Sequence, residues 1–229
     1  LWVNDWSWET ENRTFTLELT DLGFTWRDGH RVLGSTNWLD IGITDEYVLE
    51  QAFFQVMRGP PAPLLDSGGF EENADLTGWE EVVLVDPSPS VWQVGEPTAG
   101  PPGAYRGSRV AGTILDGNYP QQWIDVAFRT PEIDLTGVTQ ATLTFYHWFA
   151  LEETLDFDRG IIRVVNTHGI PLAEGFTADY TGRSGGWLQA QIPLPEAAIG
   201  NVVRIDFYLR TLGDAGTDKG WYLDDVIVR

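Results

Sequence analysis

Cysteine is absent from the 229 residues, which removes disulfides, thiolate nucleophiles and zinc–thiolate sites together. That absence does not fix a compartment: it suits a reducing interior and equally a surface protein that folds without an oxidase. Basic residues are scarce, 14 Lys and Arg against 34 Asp and Glu, for a net charge of −20. Such a surface repels nucleic-acid phosphates and anionic lipid, so no nucleic-acid partner and no membrane-surface binding is expected. It favours hard divalent cations with oxygen ligands. No run of about 18 apolar residues and no leader-like apolar stretch occurs, so no membrane insertion is expected, and a start at Leu1 rather than Met reads as a processed or excised chain. Catalytic signatures are missing as well. There is no Gly-x-Ser-x-Gly, no His-Glu-x-x-His and no glycine-rich loop ending in Lys-Ser/Thr, and the three histidines, His30, His147 and His168, are scattered. A non-enzyme is expected.

What the chain does have is core-forming material: 13% aromatic residues, with 11 Trp, and only 21% charged residues, far from the composition of a disordered chain. The dominant pattern is strand. Thr14 to Thr20 alternates polar and apolar, which places Phe15, Leu17 and Leu19 on one buried face. Phe24-Thr25-Trp26 and Arg31-Val32-Leu33 flank Arg27-Asp28-Gly29-His30, a hairpin signal. Thr44 to Met57 fits a short helix and a pair of buried strands equally well. Further strands are expected at Arg109–Ile114, Trp123–Phe128, Ala141–Phe149, Gly160–Asn166, Trp187–Ile192, Val202–Leu209 and Trp221–Val228. That many strands separated by Gly and Pro predict an all-β antiparallel sandwich, and no fixed internal period points to a solenoid or propeller.

Gly59-Pro60-Pro61-Ala62-Pro63 is the first composition break, because consecutive prolines lack ladder donors. The expected division is a small β-rich segment over 1–60, a Pro-rich linker over 61–67 and a sandwich over 68–229. Pro87-Ser88-Pro89-Ser90 and the stretch Gly95 to Gly103 read as long surface loops inside the sandwich, and loops of that kind are candidates for function.

From Gly68 onward the order of features resembles a known family. Gly69-Phe70-Glu71-Glu72 leads to Gly78-Trp79, then to Trp92 with Gly95 and Pro97, and to Gly107-Ser108-Arg109-Val110-Ala111-Gly112-Thr113 with Gly117-Asn118-Tyr119. Thr130-Pro131-Glu132-Ile133-Asp134-Leu135, Leu143-Thr144-Phe145-Tyr146-His147-Trp148, Asp158 with Gly160, and Trp187 ahead of Ile192-Pro193-Leu194 follow in order. The chain closes on Gly220-Trp221-Tyr222-Leu223-Asp224-Asp225-Val226-Ile227-Val228. This is similar to the MAM-like, choice-of-anchor J jelly roll (a concanavalin-like β-sandwich) appended to secreted bacterial proteases such as immune inhibitor A. The resemblance implies an extracellular, non-catalytic module used for adhesion, substrate targeting or assembly. One departure is Asn166-Thr167-His168-Gly169-Ile170-Pro171-Leu172, where relatives often read Ser-x-Asp-Gly-Gly-x-x-Trp, so ligand contacts by that loop are unsupported.

The resemblance also implies calcium. Jelly rolls that open on Phe-Glu and close on Asp-Asp-Val bring their first and last strands together, and related carbohydrate-binding jelly rolls hold a structural calcium there. Carried onto this chain, the carboxylates are Glu71 or Glu72 and Asp224 or Asp225, with a carbonyl near Gly107 or Ser108. Asp156 and Asp158 form a second acidic pair that could chelate a cation, act as a carboxylate pair, or be a solvated loop. His147 is expected as a hydrogen-bonded sandwich residue. Trp79, Trp148, Trp187 and Trp221 match core or near-core positions of the family pattern and are assigned to packing, whereas Trp92 and Trp123 are candidates for exposed ligand platforms. Asn12 opens a single Asn-x-Thr glycosylation sequon. The aromatic amino terminus, Leu1, Trp2, Val3, Trp6 and Trp8, either pairs within its own small β-domain or lends a strand to a neighbour. Two function classes follow: a structural or adhesive surface protein that joins copies of itself or other surface proteins, or a polysaccharide-binding accessory module of a secreted hydrolase.

Overall fold

The computed structural model describes the strand backbone within residues 3–9, 14–19, 22–27, 31–33 and 38–39, and residues 62–152, 158–173, 178–213 and 216–229. Leu1, Trp2, Asn12, Asp156 and the 44–57 segment lie outside the described residues. The chain divides into two compact units, Leu1–Pro61 and Ala62–Arg229.

In the first unit β1 (Val3–Glu9), β2 (Thr14–Leu19), β3 (Leu22–Arg27), β4 (Arg31–Leu33) and β5 (Trp38–Leu39) form one antiparallel sheet in sequence order. The alternation of Thr14–Leu19 is that of β2, and the Asp28-Gly29-His30 connection joins β3 to β4 with Arg27 opposite Arg31. The amino-terminal segment pairs within its own unit: Val3, Trp6 and Trp8 lie opposite Leu19, Leu17 and Phe15. Among the described residues β1 is an edge strand of that sheet.

The second unit is a sandwich of two six-stranded antiparallel sheets. Its twelve strands are β6 (Leu65–Gly68), β7 (Glu80–Val83), β8 (Trp92–Gly95), β9 (Val110–Thr113), β10 (Trp123–Arg129), β11 (Ile133–Asp134), β12 (Thr142–Ala150), β13 (Arg159–Asn166), β14 (Ala178–Tyr180), β15 (Leu188–Pro193), β16 (Val202–Leu212) and β17 (Gly220–Val228). Sheet I runs β14-β13-β16-β10-β7, with β11 on β16; sheet II runs β15-β12-β17-β9-β8, with β6 on β17. The closing strand lies beside the opening one, as the matched end motifs predict, with Val226 opposite Gly68 and Val228 opposite Leu65. The expected linker is thereby shortened. Leu64 donates its N–H to Val228 at 2.7 Å and Leu65–Gly68 is a sandwich strand, because Leu65 buries where the prolines stop.

The core is where alternation on the two sheets meets. Leu143, Phe145, Trp221 and Leu223 from sheet II face Ile124, Val126, Phe128, Ile162, Ile205 and Phe207 from sheet I. Trp79 and Trp92 both stack on Phe128, at 4.8 and 5.5 Å between centroids. This corrects the reading of Trp92 as a platform: it is 8% exposed, in the core. Trp92-Gln93-Val94 alternates, and that signal belongs to a strand, not to the loops on either side. His147 is buried and accepts the Trp221 indole N–H at 3.3 Å.

On the outer face of sheet I the register draws a row of charges across four strands, Arg163, Asp206, Arg129 and Glu80. Asp206 is fully buried and receives Arg129 twice, at 2.6 and 3.1 Å, and Arg163 at 2.8 Å. Arg204 pairs with Glu80 at 2.6 Å. Among the described residues no helix is long and apolar enough to cross a membrane.

Candidate functional site

Trp123 opens β10 and is 49% exposed, the most open of the described tryptophans named above. Strand periodicity puts Asp125 on the same face two residues on, and the Trp123 indole N–H donates to its carboxylate. The Tyr208 hydroxyl, one strand over on β16, donates to that carboxylate too. Asp125 is 3% exposed, and its own N–H donates to the Ser88 hydroxyl at 3.0 Å. Burial, and then the hydrogen bond to Asp125, push the Tyr208 phenol well above its ordinary value, so it stays a donor. The Arg163 guanidinium sits 4.6 Å above the Tyr208 ring. An exposed indole is therefore fixed in orientation by a buried network.

The loop after β7 forms the facing wall. Leu84 donates its N–H to the Asp125 carbonyl at 2.8 Å, and Ser88 closes a turn onto the Val85 carbonyl. Val85, Asp86, Pro87, Gln122 and Trp123 line an open groove of about 370 Å³. Flat apolar faces and one amide beside one carboxylate suit stacking on a ring that carries hydroxyls. Of the two acids here, Asp125 is already bound by Trp123 and Tyr208.

The acids expected to hold calcium do converge, on loop 105–109. Glu71 accepts the N–H groups of Ser108 and Arg109, each at 3.0 Å, and Gly107 is left-handed with room for no Cβ, since one would lie 2.3 Å from the Glu71 carboxylate. Asp224 accepts the N–H groups of Arg106 at 3.0 Å and Asp225 at 2.8 Å; the Arg106 guanidinium is 3.4 Å from Asp225. Phe70 and Asp225 both adopt left-handed backbone, at φ 58° and 48°, next to these contacts. Glu72 is exposed. Loop 105–109 thus presents N–H donors where a carbonyl ligand was expected, and among the described residues no three acidic or histidine side chains gather to hold an ion. As arranged, the set is held by backbone N–H donors. It forms a hydrogen-bonded clip between the opening and closing strands. Burial raises the Asp224 carboxyl to about 6, whereas backbone donation holds Glu71 below the usual range. Asp158, of the second acidic pair, is buried and accepts the Tyr119 hydroxyl at 2.6 Å.

Trp79 and Trp221 lie in the main core, as expected. Trp148 and Trp187 pack, partly buried, in a smaller cluster with Val110, Leu115 and Tyr222. Sequence reasoning missed Tyr105, exposed in the Gly/Pro-rich loop and stacked on Tyr146. The loop itself was legible, but the pairing spans 41 positions of chain and leaves no local pattern.

No family model matches the chain. Over 142 residues, 60% of the chain, it is 31% identical to Bacillopeptidase F of Bacillus subtilis, of which it covers 9%. Over 94 residues, 38% of the chain, it is 33% identical to the pre-pro-metalloprotease PrtV of Vibrio cholerae, of which it covers 10%. The chain thus spans about a tenth of the length of these relatives. In structure it is similar to the K1 cleaved adhesin domain of Lys-gingipain from Porphyromonas gingivalis W83, at a TM-score of 0.43 and 18% identity over 66% of this chain and 90% of that one. The sequence similarity ties the chain to stretches of bacterial proteases that each make up a small part of the whole enzyme.

Proposed function

We propose that residues 62–229 are a non-catalytic, extracellular accessory module that binds polysaccharide in the Trp123 groove. The observation that carries this is an exposed indole held rigid by the buried Asp125 carboxylate, at an open groove with hydrogen-bonding groups alongside. A rigid, already oriented ring loses little freedom on binding, so stacking translates into affinity. The extracellular reading draws support from relatives named as a peptidase and a pre-pro-metalloprotease. In affinity electrophoresis through gels containing xylan, mannan or β-glucan, the protein is expected to be retarded by at least one of them. Trp123→Ala is expected to weaken that binding about thirtyfold, the effect of about 2 kcal/mol usual for a stacking tryptophan, while the far-ultraviolet spectrum stays that of the folded sandwich. Unchanged retardation of this variant would remove the groove from consideration.

A second reading, self-association or docking to other surface proteins, is favoured by one observation: β1 has a strand neighbour on one side only among the described residues. Edge strands recruit further strands through their unpaired ladder groups. Deleting residues 1–8 is then expected to abolish concentration-dependent association, read by sedimentation, and to leave the far-ultraviolet spectrum of the sandwich intact. Loss of thermal stability without any change in association would show that β1 serves its own unit alone.

Calcium remains a proposal of narrower scope. An ion at the clip would have to displace the Arg106 and Ser108 donors. What favours it is Asp224, a buried carboxylate whose partners are backbone N–H groups instead of a cation.

A further inference from the structure

The outer face of sheet II carries an aromatic surface that the Trp123 groove leaves unused. Along β12, Phe145 and Phe149 enter the core, so Thr144, Tyr146 and Trp148 take the other face. Register with β15 places Gln191 opposite Thr144 and Gln189 opposite Tyr146, and both amides are exposed. Over this face comes the loop between β8 and β9. Its Tyr105 lies flat on Tyr146, with centroids 3.5 Å apart and planes at 11°, yet is still 39% exposed. Trp187 stands at a steep angle to Tyr105, 62° at 6.3 Å, and its indole N–H donates to the Gly103 carbonyl at 3.0 Å. Two aromatic planes and two amides therefore form an open corner.

The corner is rigid for reasons already given. Glu71 and Asp224 hold the loop through the N–H groups of Arg106, Ser108 and Arg109. Left-handed Gly100 packs so closely on Tyr222 that a Cβ would lie 2.5 Å from the ring. Charge selects the occupant. A net charge of −20 repels polyanions, and Arg106, a cation beside the corner, is paired with Asp225. An uncharged, hydroxylated ring with an apolar face meets both requirements: it stacks on Tyr105 and hydrogen-bonds to Gln189 and Gln191.

We infer that this corner is a second saccharide site, on the face of the sandwich opposite the Trp123 groove, so that one module holds neutral polysaccharide at two places and bridges chains. The inference rests on the reading of Trp123 as a platform, and two measurements keep the two apart. Retardation in polysaccharide gels reports binding at either site; light scattering during titration of soluble xylan, mannan or β-glucan reports bridging, which needs both. The unmodified protein is expected to give a scattering maximum at intermediate ratio that collapses in protein excess. Trp123→Ala and Tyr105→Ala are each expected to abolish that maximum and to keep a retardation weakened tenfold or more, since bivalent attachment multiplies affinity by about a hundredfold or more. The double variant should migrate as if no polysaccharide were present. Gln189→Ala with Gln191→Ala, on exposed positions, repeats the Tyr105 arm without touching the aromatic stack. If Tyr105→Ala and the glutamine pair leave scattering and retardation unchanged, the second site is overturned and the groove stands. If Trp123→Ala alone leaves both unchanged, bridging between the two faces is overturned. Absence of retardation for the unmodified protein on all three polymers overturns the inference and the proposed function together.

Discussion

Asp206→Ala is expected to be among the most damaging single substitutions in the sandwich, lowering its stability by about 3–5 kcal/mol, the usual effect of removing one partner from a buried ion pair. The Asp206 side chain is fully buried, and its two oxygens receive Arg129 at 2.6 Å and Arg163 at 2.8 Å, side chains only 10% and 17% exposed. Taking the carboxylate away leaves two guanidinium groups facing each other across the middle strand of sheet I, with little water to screen them. For a unit of this size the melting temperature should fall by roughly 10 °C, at about 2–4 °C per kcal/mol. Asp206→Asn, which keeps shape and one acceptor, should lie between. Replacing Asp206, Arg129 and Arg163 together by apolar residues of similar volume should recover much of the loss, because the damage comes from stranded charge more than from a lost contact. A melting temperature for Asp206→Ala within 2–3 °C of the unmodified protein, on the order of 1 kcal/mol, would mean that water reaches these arginines and the row is a surface feature.

The second large effect is a pH dependence that the unmodified protein conceals. Burial lowers His147 from 6.5 to about 4. Its Nδ1 accepts the Trp221 N–H, and Phe145, Phe149 and Tyr180 surround the ring. The folded state therefore binds this proton less readily than the unfolded state does. The stability it confers is complete above about pH 6.5 and is lost as the pH falls toward 4. Asp224 has the opposite sign. Burial raises it from 3.8 to about 6, so its contribution is complete below about pH 3.8 and is lost as the pH rises to 6. Each shift corresponds to about 3 kcal/mol. Over pH 4–6 the two slopes oppose each other and nearly cancel. His147→Leu is expected to expose the aspartate slope, with stability falling as pH rises through that window. Asp224→Asn should expose the histidine slope, with stability rising. Urea titrations of both variants at half-unit pH intervals read the slopes directly, and parallel profiles for the two variants would refute the assignment. Calcium adds an arm: an ion on Asp224 would hold it ionised and erase the His147→Leu slope. With the hydrogen-bonded clip alone, millimolar calcium and chelator should leave that slope the same.

Sequence made the strands legible where an apolar, β-branched or aromatic stretch is bounded by turn residues. β10, β12, β13, β16 and β17 start within one residue of the stretches expected between turn residues, because such stretches have the length and composition of buried strands. It failed where burial comes from a partner distant in sequence. Trp92 sits between two Pro/Gly-rich stretches and resembles a loop residue until Phe128 and Trp221 are seen against it. Conversely, Trp123 follows Pro120-Gln121-Gln122 at a strand mouth, where an indole has no core to enter, so its exposure could be anticipated. The acidic residues show a different limit. Sequence placed Glu71, Asp224 and Asp225 at one end of the sandwich, but whether a carboxylate meets a cation or backbone N–H groups depends on how loop 105–109 turns. That turn passes through left-handed Gly107, whose role is visible only in three dimensions.

The antiparallel pairing of β6 with β17 has a mechanical consequence. Leu64 and Leu65 lie against Val228, so the backbone enters and leaves the sandwich at one corner, about one strand spacing of 4.8 Å apart. Tension applied between Ala62 and Arg229 pulls at right angles to the β6–β17 ladder and opens its bonds one after another, as a zip opens, with no set of bonds loaded in parallel. The strain would travel from Val228 toward Val226 and meet the Glu71 and Asp224 contacts on loop 105–109 only after the ladder has parted. Both broad faces stay clear of that line of force. Pulled in this way, the sandwich yields first at the β6–β17 ladder and last at the clip.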